Sequence, residues 1–178
     1  MIFLVLTFTV DLVNKRTKLG HTPLWVASYM GYIDIVKLLV EKAGANITIP
    51  SSTNTHESTP FMISCQQGKI EVLKYFLSKN ATLTETKRND GATCLSMAAA
   101  NGHLIVVKYI TQITPTLINQ CNNAGQSPLW LASYNGKLDV VKYLTEKGAV
   151  IEITSNDYDE ILPGGSPLIV SCQGIKDK

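Results

Sequence analysis

The chain has 178 residues, with sixteen Lys and Arg against fourteen Asp and Glu, so its net charge is +2. This length suits one domain, and 45% hydrophobic with 17% charged residues excludes intrinsic disorder and a polyelectrolyte. The four cysteines stand singly, without the C-x-x-C pairs of a zinc site or the density of a disulfide scaffold. We therefore expect a reducing compartment, the cytoplasm, with the nucleus as the alternative.

The first ten residues, MIFLVLTFTV, form an apolar run. The run is too short to cross a bilayer, because a spanning helix needs about 20 apolar residues. No basic residue precedes it, and the residues after Val10 make a poor cleavage site for a signal peptide. We expect a structural helix or strand with no membrane insertion, and a signal peptide is the alternative.

A repeat organises the rest of the chain. Four segments, residues 22–31, 59–68, 93–102 and 127–136, align without a gap, and each begins with Thr or Ser and ends with Gly. Their closing glycines are 37, 34 and 34 residues apart, and a fifth copy begins at Ser166. A period of this length is typical of a solenoid, whose units stack along the chain.

Each unit is predicted to form two helices. The opening hydroxyl can cap the first helix, and Pro follows it in three units while Cys94 replaces Pro in the third. The closing Gly can take the left-handed conformation that turns the chain into a second helix. That helix carries an apolar stripe, which in the first unit comprises Ile35, Val36, Leu38 and Leu39, with a lysine on the opposite face. Pairs this short cannot bury their stripes alone, so neighbouring units must stack, and Leu129 is expected to be buried between repeats.

The T-P-L-x-x-A-x-x-x-G run, followed by a (D/E)-(I/V)-V-K-x-L helix, strongly resembles the ankyrin repeat. The resemblance implies an all-α fold: an α-solenoid of stacked helix-turn-helix repeats with hairpin-like loops. On this basis one ankyrin repeat domain spans residues 1–178. It comprises a partial preceding repeat (1–14), four repeats (17–50, 51–86, 88–121 and 122–155) and an incomplete fifth repeat (161–178).

The two ends carry further expectations. Residues 13–14 and 118–119 both match the family segment that precedes a hairpin, which would put residues 1–10 in the second helix of a preceding repeat. Because the chain starts in an apolar run and stops inside a repeat, we expect a fragment of a longer array, with dimerisation as the alternative.

One position departs from the family. Its members usually carry His after T-P-L, where the side chain links neighbouring loops by hydrogen bonds, but this chain has Trp25, Met62, Ser96 and Trp130. The sequence therefore predicts that packing of the larger side chains replaces the polar link.

No catalytic constellation is predicted. His21, His56 and His103 lie in different repeats without a His or Cys at i+4, and Cys65 is predicted to be a buried thiol. The acidic residues at 157, 159 and 160 lack the order of a calcium loop. We expect no catalytic residue, cofactor, metal or small-molecule substrate. The basic residues at 15, 16 and 18 are weak support for nucleic acid, which is not expected to bind.

The resemblance instead implies a non-catalytic protein-interaction module that binds a partner protein through its concave face. The alternative is a targeting or scaffold part of a larger enzyme, such as a kinase or ubiquitin ligase component, or of a channel. The predicted partner-binding residues lie in the hairpins and at the ends of the first helices: Lys18, Leu19, His21, Tyr29, Met30, His56, Ser58, Gln66, Gln67, Asp90, Asn101, Asn123, Gln126, Tyr134 and Asn135.

Overall fold

The structure, a computed structural model, describes residues 12–52 and 57–151. The predictions for residues 1–10, His56, the acidic residues at 157–160 and the incomplete repeat 161–178 lie outside these ranges. The described ranges contain α-helices and two short 3₁₀-helices, residues Ala81–Glu85 and Pro115–Asn119, and no strand, which confirms the all-α prediction. The α-helices form four pairs: α1 (Pro23–Met30) with α2 (Ile33–Glu41), α3 (Pro60–Gln66) with α4 (Ile70–Lys79), α5 (Cys94–Asn101) with α6 (Leu104–Ile113), and α7 (Pro128–Tyr134) with α8 (Leu138–Glu146).

Each first helix begins at the predicted hydroxyl. The side-chain oxygens of Thr22, Thr59, Thr93 and Ser127 accept a hydrogen bond from the backbone N–H three residues later, at 3.1–3.3 Å. In α5, which lacks the proline, Ser96 Oγ also accepts from the Thr93 N–H at 2.9 Å. This reciprocal capping satisfies two of the free N–H groups at the start of the helix.

The chain divides into two compact units, residues 1–83 and 84–178, here called unit 1 and unit 2. In unit 1, α1 packs against α3 and α2 against α4. In unit 2, α5 packs against α7 and α6 against α8. The buried side chains between these layers include Phe61 and Phe76 in unit 1 and Leu95, Ile110 and Leu129 in unit 2. Helix pairs therefore stack within each unit, as the repeat predicted.

One part of the predicted apolar stripe is not buried. Ile35 and Leu38 on α2 are exposed, whereas Val72, Val106 and Val140, which match Ile35 in the other repeats, are buried. The described residues hold no helix pair before α1 that would cover this side of α2. The matching position is thus buried in three repeats and exposed in the first.

The hairpins are closed and joined by main-chain hydrogen bonds. Arg88 N–H donates to the Ala92 carbonyl at 2.9 Å to close one hairpin. Within unit 1 the Ser52 N–H donates to the Gly20 carbonyl at 3.0 Å, and within unit 2 the Asn123 N–H donates to the Asp90 carbonyl at 2.9 Å. Consecutive hairpins are therefore tied to each other inside each unit.

Asn14 and Asn119 occupy equivalent places. Asn14 Oδ1 accepts from the Asn46 N–H at 2.8 Å, and Asn119 Oδ1 accepts from the Val150 N–H at 2.9 Å. The match between residues 13–14 and 118–119 therefore reflects a shared structural position. The repeat boundaries themselves stay a prediction.

Burial between layers predicts the cost of removing a core side chain. Leu129 is 2% exposed, as the sequence predicted, so Leu129→Ala should lower the free energy of unfolding by about 2–5 kcal/mol. Leu138 at the start of α8 is 61% exposed, so Leu138→Ala is the matched control and should change it by less than about 0.5 kcal/mol. Urea unfolding followed by circular dichroism measures both, and equal effects would contradict the stacking of α7 in unit 2.

The tie between hairpins makes a prediction about glycines. Gly91 and Gly148 both have positive φ, +78° and +83°. A Cβ at Gly91 would lie 2.8 Å from the Asn123 backbone N and closer still to its Oδ1, whereas a Cβ at Gly148 meets no atom within 4 Å. Gly148→Ala should therefore show only the cost of the left-handed backbone, about 1–2 kcal/mol, and Gly91→Ala should be clearly worse. Equal melting temperatures for the two variants would refute the close approach.

Candidate protein-interaction surface

Three rings form a ladder along the start of unit 1. The rings of His21 and Trp25 stack with centroids 4.0 Å apart and planes 6° apart, and those of Trp25 and Tyr29 stack at 5.5 Å and 16°. The four-residue spacing places successive rings above one another on one side of α1 and its cap. We call His21, Trp25 and Tyr29 the aromatic ladder.

Tyr29 of the ladder and two large apolar side chains close to the ladder in sequence are exposed to solvent. Tyr29 is 38% exposed, Met30 at the end of α1 is 49% exposed, and Leu19 in the preceding hairpin is 73% exposed. Exposed aromatic and methionine side chains offer large contact area with a polar or adaptable tip. Of the predicted partner-binding residues in unit 1, these are the exposed large hydrophobic side chains.

Trp25 corrects the prediction that a polar link between neighbouring loops is lost. Its indole Nε1–H donates to the Ser58 carbonyl at 3.0 Å, across 33 residues of sequence. The indole thus supplies a donor at the position where the family usually has His. Ser58 is buried, with its carbonyl used by Trp25 and its N–H bonded to Ser51 Oγ, so it offers a partner little surface.

Unit 2 repeats the pattern in a more buried form. The rings of Trp130 and Tyr134 stack with centroids 5.1 Å apart and planes 9° apart. Trp130 is only 1% exposed, whereas Trp25 is half-buried and Tyr134 is exposed. Gln126 stands in the place of His21, so the stack in unit 2 has two rings.

Several predicted polar contacts are used within the fold. Asp90 accepts from Arg88 Nε at 2.9 Å and from the Ala92 N–H at 3.1 Å, and Gln126 Oε1 accepts from Asn122 Nδ2 at 2.9 Å. The remaining asparagines donate to backbone carbonyls: Asn123 to Asn89, Asn101 to Met97 and Asn135 to Leu131. These bonds hold the side chains in hairpins and helix ends.

The hairpin before the ladder is basic. Lys15, Arg16 and Lys18 are exposed, and none forms an ion pair with a described residue. The Arg16 guanidinium donates to the Pro50 carbonyl at 2.9 and 3.2 Å, which orients it without neutralising its charge. Gln66 and Gln67 at the end of α3 are half-buried. The surface of unit 1 therefore combines the aromatic ladder with a positively charged hairpin.

The sequence analysis missed Trp25 as a member of this surface. It treated the residue only as a departure from the family's His. The signal that could have identified it was the spacing of His21, Trp25 and Tyr29, which puts three rings on one side of a helix.

The described residues contain no group of three His, Cys, Asp or Glu side chains placed to hold a metal ion. Cys65 is fully buried, as the sequence predicted for this thiol. A search of the same residues finds no helix with both the length and the apolar character that a membrane crossing requires.

Comparison with known proteins identifies the family. A model of ankyrin repeats in three copies matches residues 48–113, and a single ankyrin repeat model matches residues 19–52 and 124–156. The chain belongs to the ankyrin repeat family. Ankyrin repeats are generally non-catalytic modules that bind other proteins.

Similar proteins include parts of much longer chains. The poly(ADP-ribose) polymerase tankyrase of Caenorhabditis elegans is 30% identical over 71 residues, 40% of this chain and 3% of the relative. Alpha-latrocrustotoxin-Lt1a of Latrodectus tredecimguttatus is 34% identical over 68 residues, 38% of this chain and 4% of the toxin. The putative E3 ubiquitin-protein ligase XBAT31 of Arabidopsis thaliana is 31% identical over 86 residues, 48% of this chain and 18% of the ligase. The chain thus matches only a small part of each relative.

The link made by Trp25 predicts a measurable stability. Trp25→Phe keeps a ring in the ladder but removes the indole donor to the Ser58 carbonyl, which keeps its bond from the Ser51 N–H at 2.9 Å, so the free energy of unfolding should fall by about 0.5–1.5 kcal/mol. Tyr29→Phe removes a hydroxyl that makes no hydrogen bond to a described residue and should leave stability unchanged. Urea unfolding compares the two variants, and an unchanged Trp25→Phe protein would show that the indole bond adds nothing.

Proposed function

We propose that this ankyrin repeat protein is a non-catalytic interaction module whose first helices and hairpins, which in the family form the concave face, bind a partner protein. The observation that carries the proposal is the aromatic ladder. The Tyr29 ring is exposed, and the Trp25 ring stacked on it is fixed by its hydrogen bond to the Ser58 carbonyl. A rigid, exposed aromatic surface binds with little loss of side-chain entropy.

The positive charge near the ladder restricts the kind of partner that we expect. Lys15 and Lys18 have no ion pair in the described residues, and Leu19 and Met30 add exposed apolar area. An extended partner segment that carries an aromatic or aliphatic side chain next to Asp or Glu would complement both features. The carboxylates would set orientation and association rate more than affinity.

A second candidate function is the targeting or scaffold part of a larger enzyme or channel. The observation that favours it is the small share of each relative that the chain matches, 3%, 4% and 18%. A longer transcript that encodes a catalytic or membrane-spanning segment would support this alternative. The two candidates agree on how the repeats bind.

Selection of a random peptide library on the purified protein tests the surface. We expect enriched peptides to contain an aromatic or aliphatic residue beside Asp or Glu. The double variant Tyr29→Ala, Met30→Ala should bind them at least about tenfold more weakly, because truncating two interface anchors costs more than about 1 kcal/mol each.

The matched control is the double variant Ile105→Ala, Leu138→Ala, which removes two exposed apolar side chains from second helices. It should bind the selected peptides as the unaltered protein does, and circular dichroism should show equal helix content in all three proteins. Equal loss of binding in both double variants would refute the assignment to the ladder. Tyr134→Ala separately measures the contribution of unit 2.

A further inference from the structure

The second helices carry a different feature, seen by comparing the two units. In unit 1, Glu41 at the end of α2 lies beside two side chains of α4. Tyr75 Oη donates to Glu41 Oε1 at 3.1 Å, and Lys79 Nζ donates to the same oxygen at 3.2 Å. Lys79 Nζ also lies 5.2 Å from the centre of the Tyr75 ring. A carboxylate of the chain itself is thus held by a tyrosine and a lysine.

The electrostatics confirm that this arrangement favours an anion. The hydrogen bond from Lys79, then that from Tyr75, lowers the pKa of the Glu41 carboxyl, and the charge of Lys37 acts in the same direction. Burial, followed by the hydrogen bond to Glu41, raises the pKa of Tyr75 to about 12. Tyr75 and Lys79 therefore hold one negative charge, which the more distant charge of Lys37 also favours.

Unit 2 has the same cradle without the carboxylate. Counted from the glycine that ends each first helix, Lys108 matches Lys37, Tyr143 matches Tyr75 and Lys147 matches Lys79. Glu41, however, is matched by the neutral Gln112. The Tyr143 hydroxyl is hydrogen-bonded to the Thr111 hydroxyl at 2.8 Å in place of a carboxylate.

Two lysines of unit 2 lie near the Tyr143 ring without an acidic partner among the described residues. Lys108 Nζ lies 5.6 Å and Lys147 Nζ 5.8 Å from the centre of the Tyr143 ring. No carboxylate in the described part of the chain lies within 4 Å of either ammonium group. Two positive charges held near one ring repel each other, and a bound anion would relieve that repulsion.

A groove between α6, α8 and the 3₁₀-helix Pro115–Asn119 opens at this place. Its volume is about 630 Å³, within the range of small-ligand sites. Lys108, Lys147, Gln112 and the hydroxyls of Thr111 and Tyr143 supply polar groups, while Pro115 and Ile118 supply an apolar wall. We call it the α6–α8 groove.

We propose that the α6–α8 groove binds a phosphate monoester, with Lys108 and Lys147 on the phosphoryl oxygens and the organic group against Pro115 and Ile118. A phosphate monoester carries a charge of about −1.5 to −2 at neutral pH, which matches the two lysines better than one carboxylate does. Its three acceptor oxygens also suit the ammonium groups of Lys108 and Lys147 and the side-chain amide of Gln112. The site shares no residue with the aromatic ladder and stands independently of the proposed partner surface.

Titration of the full chain with phenyl phosphate, followed by backbone amide NMR shifts, tests the proposal. We expect saturable shifts at residues 111–112 and 143–147. Lys108→Gln and Lys147→Gln should each weaken binding at least about tenfold, because each removes a charge-assisted contact. Lys142→Gln removes the same charge from an exposed position on α8 outside the groove lining and should change binding less than about twofold. Equal effects of all three variants would show that binding follows the total charge of the protein and not the lysines of the groove, which would overturn the proposal.

The repeat supplies a reciprocal pair of variants. Gln112→Glu places in unit 2 the carboxylate that unit 1 already has, so it should abolish the shifts. Glu41→Gln vacates the cradle of unit 1, so it should add a second phenyl phosphate site among Lys37, Tyr75 and Lys79. Unchanged binding in the Gln112→Glu protein, or no saturable shift in the unaltered protein, would overturn the proposal.

Two further probes define the ligand. Benzoate should bind more weakly than phenyl phosphate, and equal affinity would overturn the preference for phosphate. A phosphotyrosyl tripeptide that binds more tightly than phenyl phosphate would assign the ester to a protein side chain. Equal affinity of the tripeptide and phenyl phosphate would assign it to a small phosphorylated compound. Thermal unfolding of every variant checks that its fold is kept.

Discussion

Apolar side chains shared between one helix pair and the next hold each unit together. The helices have seven to ten residues, a length at which isolated helices are marginal in water. Phe61 and Phe76 in unit 1, and Leu95 and Leu129 in unit 2, are buried because a neighbouring pair supplies the other wall. Stability therefore depends on contacts between neighbouring helix pairs.

The local parts of the fold could be predicted from the sequence because they depend on a few residues in fixed order. A hydroxyl before each first helix caps it, and the glycine after it takes positive φ, as at Gly31 and Gly102. The apolar positions recur with helical spacing, so Leu129 was correctly placed in the core. Each of these features can be judged within one repeat.

What could not be predicted is which partner each polar group finds in the folded chain, whether that partner is near or far in sequence. The indole of Trp25 reaches the Ser58 carbonyl 33 residues later, which makes a residue that looks apolar act as a hydrogen-bond donor. Asp90 and Gln126 resemble free surface groups in the sequence, yet the hairpins use part of their bonding capacity. The candidate binding surface therefore includes fewer of the predicted residues, and it centres on the aromatic ladder and the basic hairpin of unit 1.

The main chain supplies a hydrogen bond between consecutive hairpins in both units. Ser52 and Asn123 donate through their backbone N–H groups, and Gly20 and Asp90 accept through their carbonyls. A glycine, Gly20 or Gly91, stands at each point of close approach, and in unit 2 the Asn123 side chain adds a bond to the Asn89 carbonyl at 3.0 Å. Exposed neighbours such as Lys18, Leu19 and Asn89 can then be exchanged during evolution, or replaced by design, while the registration of one loop on the next is preserved. The tips of these hairpins are thus positions where new recognition can arise by substitution without remodelling the scaffold.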